Sequence, residues 1–92
     1  MKRFLVLTLR TPQFDPLVIA PHYSHLEALR ERGALEAFGP FTDKSGGAYL
    51  IRAESLDEAR AMAFADPVHA TGSSKVMVRE WDLKFATQVQ EE

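Results

Sequence analysis

Two residues able to move a proton stand where the pattern of this chain calls for core. His22 heads one predicted helix, and Asp66 closes a second within Ala65-Asp66-Pro67. Each falls on the apolar stripe of its helix rather than on the solvated side. On the first helix Leu26 and Leu29 follow His22 at i+4 and i+7, the spacing of one helical face. On the second, Asp66 follows Ala59 at i+7 with Ala63 between them. A carboxylate buried beside an imidazole is costly unless the two are paired, and such pairs are a frequent source of acid–base chemistry. In that chemistry His22 would be the general base or acid, and Asp66 would orient it and fix its tautomer. The plainer roles are a core histidine at a helix start and an aspartate that turns the next backbone through Asx-type bonds.

Three further groups could contribute. Ser45 is a candidate hydrogen-bond donor to a substrate oxygen, with the amides of Gly46 and Gly47 beside it. The alternative is simply a tight turn. His22, His25, His69 and Asp66 are the residue types of a two-histidine, one-carboxylate metal set. However, His25 lies off the stripe, His69 follows a helix break, and no H-E-x-x-H motif is present, so neither a metal nor any cofactor is expected. Trp81, Tyr49 and Phe38 read as core or interface, and no glycine-rich phosphate loop points to a nucleotide.

Composition narrows the class. Ninety-two residues with 46% hydrophobic side chains make one small globular domain, with an ordered core over about residues 3–85. A net charge of −2 offers no surface for nucleic acid or anionic membrane. The absence of cysteine removes disulfides and thiolate chemistry together. The apolar start at residues 4–9 is short, is followed by Arg10 and lacks a small-residue cleavage site, so a strand and a cytoplasmic location are expected. No run approaches membrane-spanning length.

The elements that must position His22 and Asp66 follow from local signals. Residues 3–10 predict a strand, and residues 11–20 an unusually apolar connection with two prolines. A helix is predicted from Pro21 to Gly33, proline suiting the first turn and glycine the left-handed end. Strands follow at 34–41 and 48–53, joined through the hairpin signal Asp43-Lys44-Ser45-Gly46-Gly47. Ser55-Leu56-Asp57-Glu58 is a capping box opening a helix that must stop at Asp66, because a proline follows. Lys75 to Phe85 predict the last strand, and Gln88 to Glu92 a frayed tail.

The order β-α-β-β-α-β is that of the ferredoxin-like fold, an α+β architecture with a four-stranded antiparallel sheet and both helices on one face. Tracing directions places the start of the first helix, the end of the second and the Ser45-Gly46-Gly47 turn at one edge. The other sheet face needs a cover, because Leu5, Leu7, Leu9 and Met77 make it apolar as well. A second copy packed sheet to sheet is the simplest one. Arg79 shares a strand face with Met77 and would lie in that interior.

The ordered set Pro21-His22, Gly33, Leu35, Gly39-Pro40, Ser45-Gly46, Ser55-Leu56-Asp57-Glu58-Ala59 and Ala65-Asp66-Pro67-Val68 resembles the YciI-like (YCII-related) family, within the dimeric α+β barrel group. The resemblance runs from Phe4 to Phe85. It implies a ferredoxin-like homodimer with a histidine–aspartate pair as the proposed active site, by position His22 and Asp66. One relative in that family is linked to dechlorinating elimination on a chlorinated hydroxyquinol. The short hairpin and the apolar connection at 11–20 depart from the family pattern.

Together these readings lead to a small cofactor-free enzyme performing elimination or isomerisation on a small cyclic or phenolic metabolite. His22 would move the proton, Asp66 would orient it, and Ser45 and Gly46 would contact substrate. A cofactor-free oxygenase of the same group is a further possibility. From a different class, the alternative is a non-catalytic homodimeric module that binds a small ligand.

Overall fold

The computed structural model of the chain describes residues 1–88. Its element order is β1 (Lys2–Arg10), a 3-10 turn (Pro16–Val18), α1 (Ile19–Glu31), β2 (Leu35–Pro40), β3 (Gly46–Ala53), α2 (Leu56–Phe64), α3 (Pro67–Ala70), β4 (Ser74–Glu80) and a closing 3-10 turn (Ala86–Gln88). The strands form one antiparallel sheet in the order β2-β3-β1-β4, the ferredoxin-like arrangement. The tail at residues 89–92 lies outside the described residues. Among the described residues no helix is long and apolar enough to cross a membrane.

Strand parity puts Phe4, Val6 and Thr8 of β1 and Tyr49, Ile51 and Ala53 of β3 on the helix-covered face, where all are buried. Leu26 and Leu29 of α1 and Ala59 and Ala63 of α2 close that core from above. The alanines let α2 lie close on the sheet. The opposite face carries Leu5, Leu7, Leu9, Leu50 and Met77, each half-buried. At one corner Arg3 of this face stacks on Phe85, 5.7 Å from its ring centroid.

Capping chemistry explains most boundaries. After α1, Gly33 takes φ +74, its N–H donates to the Arg30 carbonyl, and the Ala34 N–H donates to the Leu29 carbonyl. This double closure requires a left-handed residue, hence glycine. At α2 the Glu58 N–H donates to Ser55 Oγ (3.1 Å), while Glu58 Oε1 accepts from the Glu54 amide rather than the Ser55 amide. At the β1–β3 contact, a Cβ on Gly46 would stand 1.8 Å from the Thr8 carbonyl oxygen, and φ is +151. The turn therefore depends on glycine because backbone occupies the side-chain position.

Several boundaries differ from expectation, among them the start of β3, at Gly46 rather than residue 48. The connection 11–20 is partly helical: Asp15 caps Pro16–Val18, its carboxylate accepting from the Leu17 N–H (3.0 Å), and α1 begins at Ile19, two residues before Pro21. The second helix ends at Phe64, and Asp66 caps a further short helix, α3, that starts at Pro67. The last strand ends at Glu80 rather than Phe85. The Trp81 N–H still donates to the Arg3 carbonyl, but β1 begins at Lys2 and offers little ladder beyond it.

Candidate active site

His22 is the fourth residue of α1, and its side chain leans toward the start of α3. Its Nδ1 lies 2.8 Å from Asp66 Oδ2 and 2.9 Å from Oδ1. Asp66 is 0% exposed, and its extended backbone (φ −63, ψ 130) is the one a residue before proline prefers. Two other donors converge on the same carboxylate. The Tyr49 hydroxyl donates to Oδ2 (3.1 Å), and the Val68 N–H donates to Oδ1 (3.1 Å). The bond from Val68 is the Asx-type contact, so one carboxylate both caps α3 and holds the imidazole. Among the described residues no buried side-chain polar atom lacks a partner.

The electrostatics follow from those contacts. Asp66 as a carboxylate can only accept, so the proton of neutral His22 sits on Nδ1 and the lone pair on Nε2. The Tyr49 hydroxyl is held far above its ordinary pKa, first by burial, then by the negative Asp66, and last by its hydrogen bond to that carboxylate. Tyr49 is therefore a neutral donor at any physiological pH. Parity alone would have placed Tyr49 on the helix face, and a buried tyrosine hydroxyl needs a partner. That is the signal in the sequence for a third member of the cluster.

A cavity of about 120 Å³ opens beside the imidazole. Its walls come from β1, the segment before α1, α1 itself, β2, β3 and single residues of α3 and β4, with His22, Tyr23, Phe38 and Tyr49 supplying aromatic surface. With Nδ1 bound to Asp66, the ring edge carrying Nε2 is the part of His22 left to this space. The Tyr23 and Phe38 rings meet edge-on at 6.3 Å, and the His22 ring lies 5.3 Å from that of Tyr23.

The other candidates are dispersed. Gly46 lines the cavity, whereas Ser45 is exposed in the turn and outside the lining. The Ser45 amide donates to Asp43 Oδ1 (2.9 Å), and hydrogen bonds from Ser45, hydroxyl first, hold the Asp43 carboxyl below its ordinary pKa. His25 Nε2 is 2.9 Å from the Met62 carbonyl, and His69 Nδ1 is 3.2 Å from that of Phe64. Among the described residues no three His, Cys, Asp or Glu side chains gather closely enough to hold a metal ion.

Comparisons with known proteins agree with this frame. The family model of the YCII-related domain matches residues 4–82. The uncharacterised protein YjpA of Bacillus subtilis (strain 168) is 46% identical over 84 residues, which span 91% of this chain and 99% of that protein. A solved structure of 5-chloro-2-hydroxyhydroquinone dehydrochlorinase from Burkholderia phenoliruptrix AC1100, in complex with 2,5-dihydroxybenzoquinone, superposes with a TM-score of 0.68. It shares 23% identity with this chain, and the match covers 87% of this chain and 93% of that one. At that identity the likeness speaks for the fold.

Proposed function

The chain belongs to the YCII-related domain family, and from that premise we propose a small enzyme that transfers a proton on a small cyclic or phenolic molecule. The observation that carries this reading is an imidazole tied through Nδ1 to a fully buried carboxylate on a histidine that also lines a cavity. In an isomerisation, Nε2 takes a proton from one substrate atom and returns it to another. In an elimination, Nε2 takes the proton while a leaving group departs with its bonding electron pair. Asp66 stabilises the imidazolium that forms in either case and keeps the ring oriented. Imidazole and carboxylate suffice for this chemistry. The elimination named for the structural neighbour is of the same class, which supports the choice of first substrate.

The experiment is chloride release from 5-chloro-2-hydroxyhydroquinone by the wild type and by His22→Ala. The expected result is acceleration over the uncatalysed rate that the variant loses while keeping its fold. Equal rates with the two proteins contradict the reading.

We also propose that the open sheet face pairs with a second copy. Leu5, Leu7, Leu9, Leu50 and Met77 form a contiguous apolar row there, of the kind seldom left in water. Sedimentation equilibrium at micromolar concentration is expected to give a dimer for the wild type and a monomer for Leu7→Lys, whose charge would be buried in the interface. A monomeric wild type contradicts this.

A further inference from the structure

Among the described residues, Arg10 is the one lysine or arginine that lines the cavity. It is the last residue of β1, on the face whose earlier members Phe4, Val6 and Thr8 are all buried under the helices. Arg10 itself is exposed at the strand end, so it brings its charge to the rim of the cavity. Its guanidinium carbon lies 4.1 Å from the centroid of Phe14, another lining residue, which fixes the fork over an aromatic face. Among the described residues seven of the eleven lysines and arginines, Arg10 included, make no ion pair, and of these Arg10 alone lines the cavity. Its cross-strand neighbour Ser74, buried, lines the cavity beside it.

We infer that Arg10 is the anion-recognising residue of this cavity, and that the preferred ligand is a small planar ring carrying one negative charge, a carboxylate or an acidic phenolate. The inference rests on reading the cavity as a substrate site. The volume is of the order that accommodates a single six-membered ring, since an engineered cavity of about 150 Å³ takes up benzene. The walls are aromatic on two sides: Phe14 beneath Arg10, and the Tyr23–Phe38 pair next to the imidazole. Such a slot favours a flat ring, and a planar guanidinium matches a carboxylate or phenolate in geometry and charge. The positive charge also offsets the repulsion that an anionic ligand meets from Asp66. Arg10 thus selects and orients the ligand, while His22 addresses its acidic proton.

Isothermal titration of the full chain with 4-hydroxybenzoate and with its neutral isostere 4-hydroxybenzamide tests this without turnover. The wild type is expected to bind the acid about tenfold more tightly than the amide or better, the scale of a charge-assisted hydrogen bond. Arg10→Met should weaken the acid far more than the amide and bring the two to similar affinity, with an unchanged melting temperature reporting an intact fold. Arg10→Lys should retain part of the preference. Equal affinity for acid and amide in the wild type, an unchanged preference in Arg10→Met, or no binding of either ligand at millimolar concentration overturns the inference. Because only binding is read, a His22→Ala variant that keeps its turnover would sink the proton-transfer reading and leave the charge preference standing.

Discussion

Asp66→Ala is expected to lower the stability of the folded chain by about 3–5 kcal/mol, the scale reached when several buried donors lose their acceptor and a helix loses its cap. The carboxylate is fully buried and accepts from His22 Nδ1, the Tyr49 hydroxyl and the Val68 N–H. Truncation leaves three donors facing one another with no acceptor, and it removes the cap of α3. A small domain has only about 5–15 kcal/mol in total, so the variant should melt far below the wild type. Asp66→Asn should cost less, about 1–3 kcal/mol, because its shape and one acceptor oxygen survive. Urea denaturation of the three proteins checks both values. An Asp66→Ala protein within about 1 kcal/mol of the wild type would mean that the cluster is not held as described.

His22→Ala is expected to lower turnover by about 10²–10⁴-fold on any substrate that the wild type converts, the range for a positioned general acid or base. The accompanying loss of stability should be small. Asp66 keeps Tyr49 and Val68 as donors, and the vacated space adjoins a cavity that water can enter. This contrast separates the two residues: one substitution removes chemistry and the other removes structure. Asp66→Asn belongs with His22→Ala in its effect on rate. Its amide would donate to Nδ1, moving the ring proton to Nε2 and occupying the atom that must accept from substrate. Steady-state rates with thermal melts on the same samples make the comparison. A His22→Ala protein that loses melting temperature but not rate would assign His22 to the fold alone.

Much of this arrangement is readable from residue types. The i+4 and i+7 spacing of Leu26 and Leu29 from His22 places the imidazole on the inner face of α1, and both leucines are buried. Antiparallel topology carries Asp66 to the same edge, where the two side chains meet. The Asp-Pro step, by contrast, has two readings, and both hold: α2 has ended before Asp66, and α3 starts at Pro67. Proline bars the preceding residue from helical backbone, so Asp66-Pro67 ends one helix. Proline equally suits a first helical position, with the aspartate before it as cap. Asp15-Pro16 and Asp66-Pro67 both open helical turns in this way.

Other features depend on distances that no spacing rule contains. Tyr49 is legible as a helix-facing strand residue, but which buried group meets its hydroxyl is decided by the placement of α3. Arg10 stands at the end of an alternating strand, where parity no longer distinguishes interior from rim. Its contact with Phe14 arises only because the segment before α1 folds back over β1. The length of the last strand likewise depends on where its partner β1 begins.

The proton-transfer reading depends above all on Asp66 locking His22 as the tautomer with its lone pair on Nε2, turned to the cavity. Long-range proton–nitrogen correlation of the His22 ring measures this at a pH where the imidazole is neutral. The expected spectrum shows a protonated, exchange-protected Nδ1 and an unprotonated Nε2 in the wild type, with the assignment reversed in Asp66→Asn. A wild-type ring protonated on Nε2, or one that exchanges freely between the two forms, is incompatible with a carboxylate-locked base.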